Sequence, residues 1–448
     1  MNKHNSTIAA ISTPAGIGGI SIVRMSGSKS ISILSKSLKC KTLPKNFRTN
    51  SIHHGKFVDS GKIIDDVMVS VFISPNSYTG EDIVEINCHG GNFVTHRILQ
   101  ILLKNGAQIA KPGEFTKRAF LNGKMDLTEA EAVIDLIHSK TKHSQEVAIS
   151  QLEGKLYSSI KKILNKITTL RTEIELNIDF SEQGLEKINF KELLEKLRII
   201  KKEIELLVNT GNEGIILNEG YRVVIAGESN AGKSSIFNKL VENERSIVTD
   251  IPGTTRDYIE EDISLQGYLI KVFDTAGLRK SNNKIENVGI EKSFSIINKA
   301  HLLLWVHDIT ANIKSSMKSQ LNDKDFIEVF NKIDLVKNKT IYKNSSIAYV
   351  SALTGEGIDK LKAKIISKID VNKYDISNGL ISNSRQLAAA TKGLKALKKA
   401  MKATQEKIGL EFIAFDLRTA SKALEEIIGK ITSDEIINSI FDKFCVGK

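Results

Sequence analysis

The stretch Gly227-Glu228-Ser229-Asn230-Ala231-Gly232-Lys233-Ser234 has the residue types and spacing of a phosphate-binding loop, G-x-x-x-x-G-K-[ST]. In such a loop backbone N–H groups wrap a pyrophosphate. Lys233 can reach the β- and γ-phosphates, and the Ser234 hydroxyl can hold Mg²⁺. Ala231, Gly232 and Ser235 belong to the same cradle.

The residues that would complete a guanine-nucleotide site follow in order. Asp274-Thr275-Ala276-Gly277 has the form D-x-x-G, in which Asp274 would approach Mg²⁺ through water and the Gly277 N–H would sense the γ-phosphate. Between the two elements lies Thr249-Asp250-Ile251-Pro252-Gly253-Thr254-Thr255, where a switch loop should supply a threonine to Mg²⁺. Asn331-Lys332-Ile333-Asp334 comes next. Its Asp334 carboxylate can accept two N–H bonds from the edge of guanine, whereas adenine offers a different donor pattern. Lys332 can pack along the base, and Ser351-Ala352, with Leu353 beside them, can offer backbone N–H to the guanine carbonyl oxygen. Each element alone occurs casually in turns. All of them in order, at nucleotide-domain spacing, predict GTP rather than ATP.

Hydrolysis is less directly written. Many GTPases place a glutamine after D-x-x-G to orient the attacking water, and here that position is Leu278. Either the protein is a slow switch or another group does the work. The Asn230 amide oxygen could ligate a monovalent cation at the phosphates. Glu286 could orient water through a bridging water; its plainer reading is a solvated carboxylate in a loop.

These groups need a scaffold. The apolar run from Tyr221 to Ala226 reads as a short buried strand leading into the phosphate loop, and Ile236, Phe237 and Leu240 start a helical period after it. Leu269 to Phe273, Phe326 to Phe330 and Ala348 to Val350 are further strands, so residues 216–372 predict a doubly wound P-loop domain. Residues 1–120 read as mixed α/β, with β-branched runs at Gly19 to Met25, Val67 to Ile73 and Asp82 to Asn87 and a helix from Thr95 to Leu103. Residues 121–215 are helical, capped by Asp126 or Thr128, with Leu152, Leu156, Ile160, Ile163, Ile167 and Leu170 in 3–4 spacing. Residues 373–448 are helical again. Neither helical block can bury its apolar stripe alone, which predicts one bundle from two chain segments with the nucleotide domain inserted between them.

Composition bounds the class. Length 448 is too long for one small core, and 41% hydrophobic with 26% charged residues is the balance of an ordinary soluble protein. No apolar run is long enough to span a bilayer, and the N-terminus has no basic-then-apolar leader. The three cysteines, Cys40, Cys88 and Cys445, form no C-x-x-C pair, so neither a disulfide framework nor a cysteine zinc site is supported, and a reducing cytoplasm is the natural setting. The net charge of +12 is compatible with a nucleic-acid partner and almost as well with an AT-rich genome that makes the chain rich in Lys, Ile and Asn. Lys392, Lys395, Lys399 and Lys402 form one face of a helix opposite Leu394, Leu397 and Met401. That face could carry an RNA backbone or simply be solvated.

Taken together, GESNAGKSS, TDIPGTTRD, DTAGLR and NKID resemble the MnmE (TrmE) family of tRNA-modification GTPases. The N-terminal PAGIGGISIVRMSG, NSYTGEDIVEINCHGG and KPGEFTKRAFLNGKMDL and the terminal CVGK extend the resemblance over nearly the whole chain and set it apart from ribosome-assembly GTPases. The resemblance implies an N-terminal folate-binding and dimerising domain, a helical domain in two segments and an inserted G domain. It implies K⁺ on Asn230, Thr249, Ile251 and Thr254, Mg²⁺ on Ser234 and Thr255, and a hydrolytic role for Glu286. A K⁺ between paired G domains would supply the positive charge that an arginine finger supplies elsewhere.

By the same resemblance Arg24, Glu85, Lys124 and Lys448 would bind a 5,10-methylene- or 5-formyl-tetrahydrofolate, and Cys445 would take part in the modification chemistry. The residue types suit that ligand. A carboxylate can pair with the amino-pyrimidine edge, and the cations suit a glutamyl tail or polar ring atoms. The implied assembly is a cytoplasmic homodimer that joins an FAD-dependent MnmG (GidA)-type partner in a heterotetramer and acts on tRNA. The competing reading is a non-modifying GTPase switch that binds RNA or ribosome. Ser229 stands where the family often has proline, and Asp179-Phe180-Ser181-Glu182-Gln183-Gly184 replaces a more acidic run. Leu353 stands where a basic residue is frequent.

Overall fold

The computed structural model describes residues 6–179, 188–242, 259–274, 297–311, 325–336, 347–369 and 379–448. The chain divides into two compact units, Met1–Ile134 with Glu425–Lys448, and Asp135–Leu424.

The first unit is a seven-stranded sheet with helices against it. Its elements are β1 (Ile8–Ile11), β2 (Ile20–Ser26), α1 (Ser30–Ser35), β3 (Leu38–Cys40), β4 (Ser51–Asp59), β5 (Lys62–Phe72), β6 (Ile83–His89), α2 (Asn92–Lys104), β7 (Gln108–Ile109), α3 (Glu114–Leu121) and the start of α4 (Leu127–His138). The strand order is β3-β4-β5-β6-β2-β1-β7. Alternation drives the packing: Val67, Val69 and Val71 on β5 and Val84 and Ile86 on β6 are buried with Ile98 and Leu102 of α2. The three predicted strands and the predicted helix are β2, β5, β6 and α2. Asp126 caps α4: its Oδ1 accepts from Thr128 N (2.6 Å) and Glu129 N (3.2 Å), while Glu129 returns a bond to Asp126 N. The far end of the chain belongs to this unit. Helix α13 (Asp434–Phe441) and Phe444 pack on Leu127 and Ala130.

The second unit holds the helical bundle and the nucleotide domain. Its helices before the sheet are α5 (Lys142–Leu152), α6 (Lys155–Asp179), α7 (Phe190–Asn209) and α8 (Gly211–Glu219). The apolar series from Leu152 to Leu170 is not one helix, because Gly154 takes φ +70 and ends α5 there. From Leu156 onward the 3–4 series is buried along α6, each side chain contributing about 1.5–3 kcal/mol on removal from water. The C-terminal segment supplies α11 (Ser384–Gln405) and most of α12 (Leu410–Ile428). The two segments meet as predicted. Buried Gln151 donates to Leu380 O (2.7 Å), Asn218 donates to Ser382 O (3.3 Å), and Lys398 pairs with Glu205 (3.2 Å).

Between those segments lies the six-stranded sheet β13-β12-β11-β8-β10-β9. It is made of β8 (Tyr221–Gly227), β9 (Ile259–Leu265), β10 (Tyr268–Asp274), β11 (Leu302–Asp308), β12 (Phe326–Asn331) and β13 (Ala348–Tyr349), with α9 (Lys233–Val241) and α10 (Ile358–Ser367) as its helices. All pairs are parallel except the edge pair β9–β10. Parallel strands buried on both faces explain the unbroken apolar runs Val223–Ala226 and Leu302–Leu304. Among the described residues no helix is long and apolar enough to cross a membrane.

Candidate functional site

The phosphate loop leaves the C-terminal end of β8, central in the sheet, and runs into α9. Gly232 takes φ +87, and a Cβ there would lie 2.2 Å from Asn331 Nδ2, so only glycine fits the loop's last turn. Lys233 Nζ donates to the loop's own carbonyls, Glu228 O (2.7 Å) and Gly227 O (3.2 Å). Ser234 Oγ donates to Asp274 Oδ2 (2.7 Å), and Asp274 is 1% exposed at the end of neighbouring β10. The fold therefore joins the two motifs at a hydroxyl and a carboxylate, hard oxygen donors of the kind Mg²⁺ takes together with substrate phosphates.

The guanine elements are tied to the same loop by a brace that sequence patterning does not announce. Asn331, 2% exposed, donates through Nδ2 to Ala231 O (2.9 Å), and its Oδ1 accepts from Ala352 N (3.0 Å). One neutral amide thus fixes the phosphate loop to the Ser351–Ala352 turn. Asp334 Oδ1 accepts from Ser351 Oγ (2.5 Å). Lys332, at φ +69, donates from Nζ to Asp308 Oδ2 (2.5 Å). That hydrogen bond, followed by those of Thr310 N and Oγ1, holds the Asp308 carboxyl down at about 2. Asp308 was not anticipated; it ends β11 as Asp274 ends β10, and strand-end position was the signal available. Leu353 is 81% exposed. Asn230 sits exposed in the loop at φ +63. Thr249 to Thr255, Thr275 to Gly277, Leu278 and Glu286 lie outside the described residues.

In the first unit Arg24 and Glu85 are cross-strand partners on β2 and β6. Arg24 Nε and Nη2 both reach Glu85 Oε1 (2.8 and 2.7 Å), and Nη1 donates to Gly447 O (3.2 Å). The guanidinium lies 5.7 Å from the Phe115 ring centroid. Lys448 comes into the same field. Its ammonium is lowered from the ordinary lysine value by burial first and then by the Arg24 charge, with Glu85 opposing. Lys124 has other partners, donating to Pro75 O (3.1 Å). Cys445 is exposed. The structure thus brings Arg24, Glu85 and Lys448 together across more than 420 positions, as the 423 between Arg24 and Gly447 show. On α11, Lys392, Lys395, Lys399 and Lys402 are exposed and Leu394 and Leu397 buried.

Residues 127–445 match the model of the MnmE helical domain, and residues 7–124 match that of the GTP-binding protein TrmE N-terminus. The tRNA modification GTPase MnmE of Acetivibrio thermocellus is 39% identical over 454 residues, covering 99% of each chain. The protein of the same name from Clostridioides difficile is 40% identical over 457 residues, again covering 99% of each. The G domain of the T. maritima FeoB iron transporter aligns with 33% of this chain and 98% of its own, at 26% identity and a TM-score of 0.26, too low to carry an argument.

Proposed function

The chain belongs to the MnmE (TrmE) family of tRNA modification GTPases, and from that premise we propose that it couples K⁺-stimulated GTP hydrolysis to folate-dependent modification of wobble uridines at C5. The residues of the nucleotide site divide the work. The Gly227–Ser234 backbone and Lys233 take the phosphates, Ser234 and Thr255 would hold Mg²⁺, and Asp334 with the Ser351–Leu353 turn selects guanine. Bound Mg²⁺ would neutralise phosphate charge. Asn230, with Thr249, Ile251 and Thr254, would hold K⁺, which would supply positive charge for the phosphate charge that develops on hydrolysis. Glu286 orients water in place of the glutamine that Leu278 replaces.

The folate reading rests on one observation above others: Arg24 and Glu85 face each other across two strands, with Lys448 inside their field. Glu85 can accept from an amino-pyrimidine edge, and Arg24, Lys124 and Lys448 can take carboxylates or ring oxygens. In this reading the protein works as a cytoplasmic homodimer with an FAD-dependent MnmG (GidA)-type partner, and leaves a carboxymethylaminomethyl or aminomethyl group on the tRNA. A switch that merely gates RNA or ribosome binding has no use for a folate.

Steady-state GTP turnover in KCl and in NaCl tests the cation assignment. Turnover is faster in K⁺, Glu286→Ala lowers it in K⁺, and nucleotide affinity stays close to that of the parent. Equal rates in the two salts remove Asn230 from its role.

A further inference from the structure

The carbonyls of Cys445, Gly447 and Lys448 at the end of the chain accept from donors of the first unit. Helix α3 begins after Gly113, a left-handed residue, and no side chain caps it. The first turn of a helix leaves backbone N–H groups without intrahelical acceptors. Here Phe115 N donates to Lys448 O (3.2 Å) and Gly113 N reaches Cys445 O (3.5 Å). Between those two acceptors, Gly447 O receives Ser12 Oγ (3.0 Å) and Arg24 Nη1 (3.2 Å).

The segment can approach so closely because of Gly447. It is buried at φ +98, and a Cβ there would lie 2.4 Å from Ile11 O on β1. Any other residue meets both a strained backbone and a backbone atom that cannot move without the strand. In this arrangement the Arg24 fork is divided between two partners. Nε and Nη2 serve Glu85, Nη1 serves the tail, and the ring of Phe115 lies beside its face. Phe115 therefore touches the latch twice, through its ring and through its N–H.

We propose that Arg24 and Gly447 form a latch that docks the Cys445–Lys448 segment onto β1 and α3, and that the Arg24–Glu85 site is complete only while the segment is docked. Arg24 is then a positioning residue for the tail. Its fork fixes Gly447, and Gly447 in turn fixes where Lys448 and Cys445 stand. The docking contacts are internal to the chain. Only the consequence for ligand rests on the folate reading.

Amide hydrogen exchange on the full chain reads the latch, and titration with 5-formyltetrahydrofolate reads its consequence. In Gly447→Ala the Phe115 amide, capped only by the tail, should exchange about tenfold faster or more, while amides in β5 and β6 keep their protection. Arg24→Lys keeps the charge but cannot serve Glu85 and Gly447 with one fork, so it should speed Phe115 exchange as well. Ser12→Ala, which removes one of two donors to Gly447 O, should give a smaller increase and provides the test if Gly447→Ala fails to fold. Folate affinity should fall about tenfold in Gly447→Ala, although residue 447 offers no side chain to a ligand. Unchanged Phe115 exchange in Arg24→Lys and Ser12→Ala overturns the latch. A parent protein that binds no folate overturns the folate reading alone and leaves the exchange result to decide the latch.

Discussion

In the nucleotide site the brace is neutral. Asn331 is buried and bonded at both ends of its amide, while the ion pair near it, Lys332 with Asp308, is partly open to solvent. In the N-terminal site the brace is a charge. Arg24 holds both Glu85 and the tail with one guanidinium. A neutral brace keeps its bonds when an anionic ligand enters, so the site is pre-organised and binding need only exchange the outer partners. A charged brace that also positions the tail makes tail docking and ligand binding favour one another, so binding and tail position become one equilibrium.

The largest effect is expected at Asn331. Asn331→Ala leaves Ala231 O and Ala352 N buried without partners, which should cost about 3 kcal/mol of stability in urea unfolding followed in the second unit. GTP and GDP should weaken together, because the phosphate loop and the guanine turn both lose their tie. A variant as stable as the parent would mean the brace is incidental.

Asp334→Asn probes the base pocket with a smaller change. Losing a charge-assisted pair of N–H acceptors should weaken GTP roughly tenfold to a hundredfold, while xanthosine triphosphate, which presents an acceptor at that edge, should gain. Competition titration with the two nucleotides checks this, and parallel loss of both would point to misfolding instead.

The smallest effect expected is electrostatic. The Asp308 carboxyl lies below its ordinary value of 3.8, at about 2, because Lys332 donates to it. A depressed carboxylate contributes stability above its ordinary pKa and loses it as pH falls toward the folded value. The urea midpoint of the parent should therefore decline more steeply than that of Asp308→Asn between pH 4 and pH 2, bounds set by those two values, and the two should run in parallel above that window. Parallel curves throughout would show the pair to be screened.

The nucleotide domain was legible because its chemistry is local in sequence and its strands are buried on both faces. Tyr221–Ala226 could hardly be anything else, and the motifs mark the strand ends. The N-terminal sheet was legible only in part. β4, with the sequence SIHHGKFVD, carries two histidines, a lysine and a glycine, and it is a strand because β5 pairs with it over most of its length. The break at Gly154 was hidden inside a good helical period. Asn331 as a brace could not be read, because N-K-x-D suggests a base contact and only the fold brings Ala231 and Ala352 to its two ends. The approach of Gly447 to Arg24 lies beyond any periodicity, and the family resemblance pointed to Lys448 without saying what holds it.

The claim that ties both regions together is that this GTPase acts in modifying the wobble uridine of tRNA. It is tested most directly by digesting tRNA from cells lacking the protein and measuring its nucleosides by mass spectrometry. The aminomethyl and carboxymethylaminomethyl uridines should disappear and return when the gene is restored. Modified wobble uridines at parental levels in the deleted cells would contradict it.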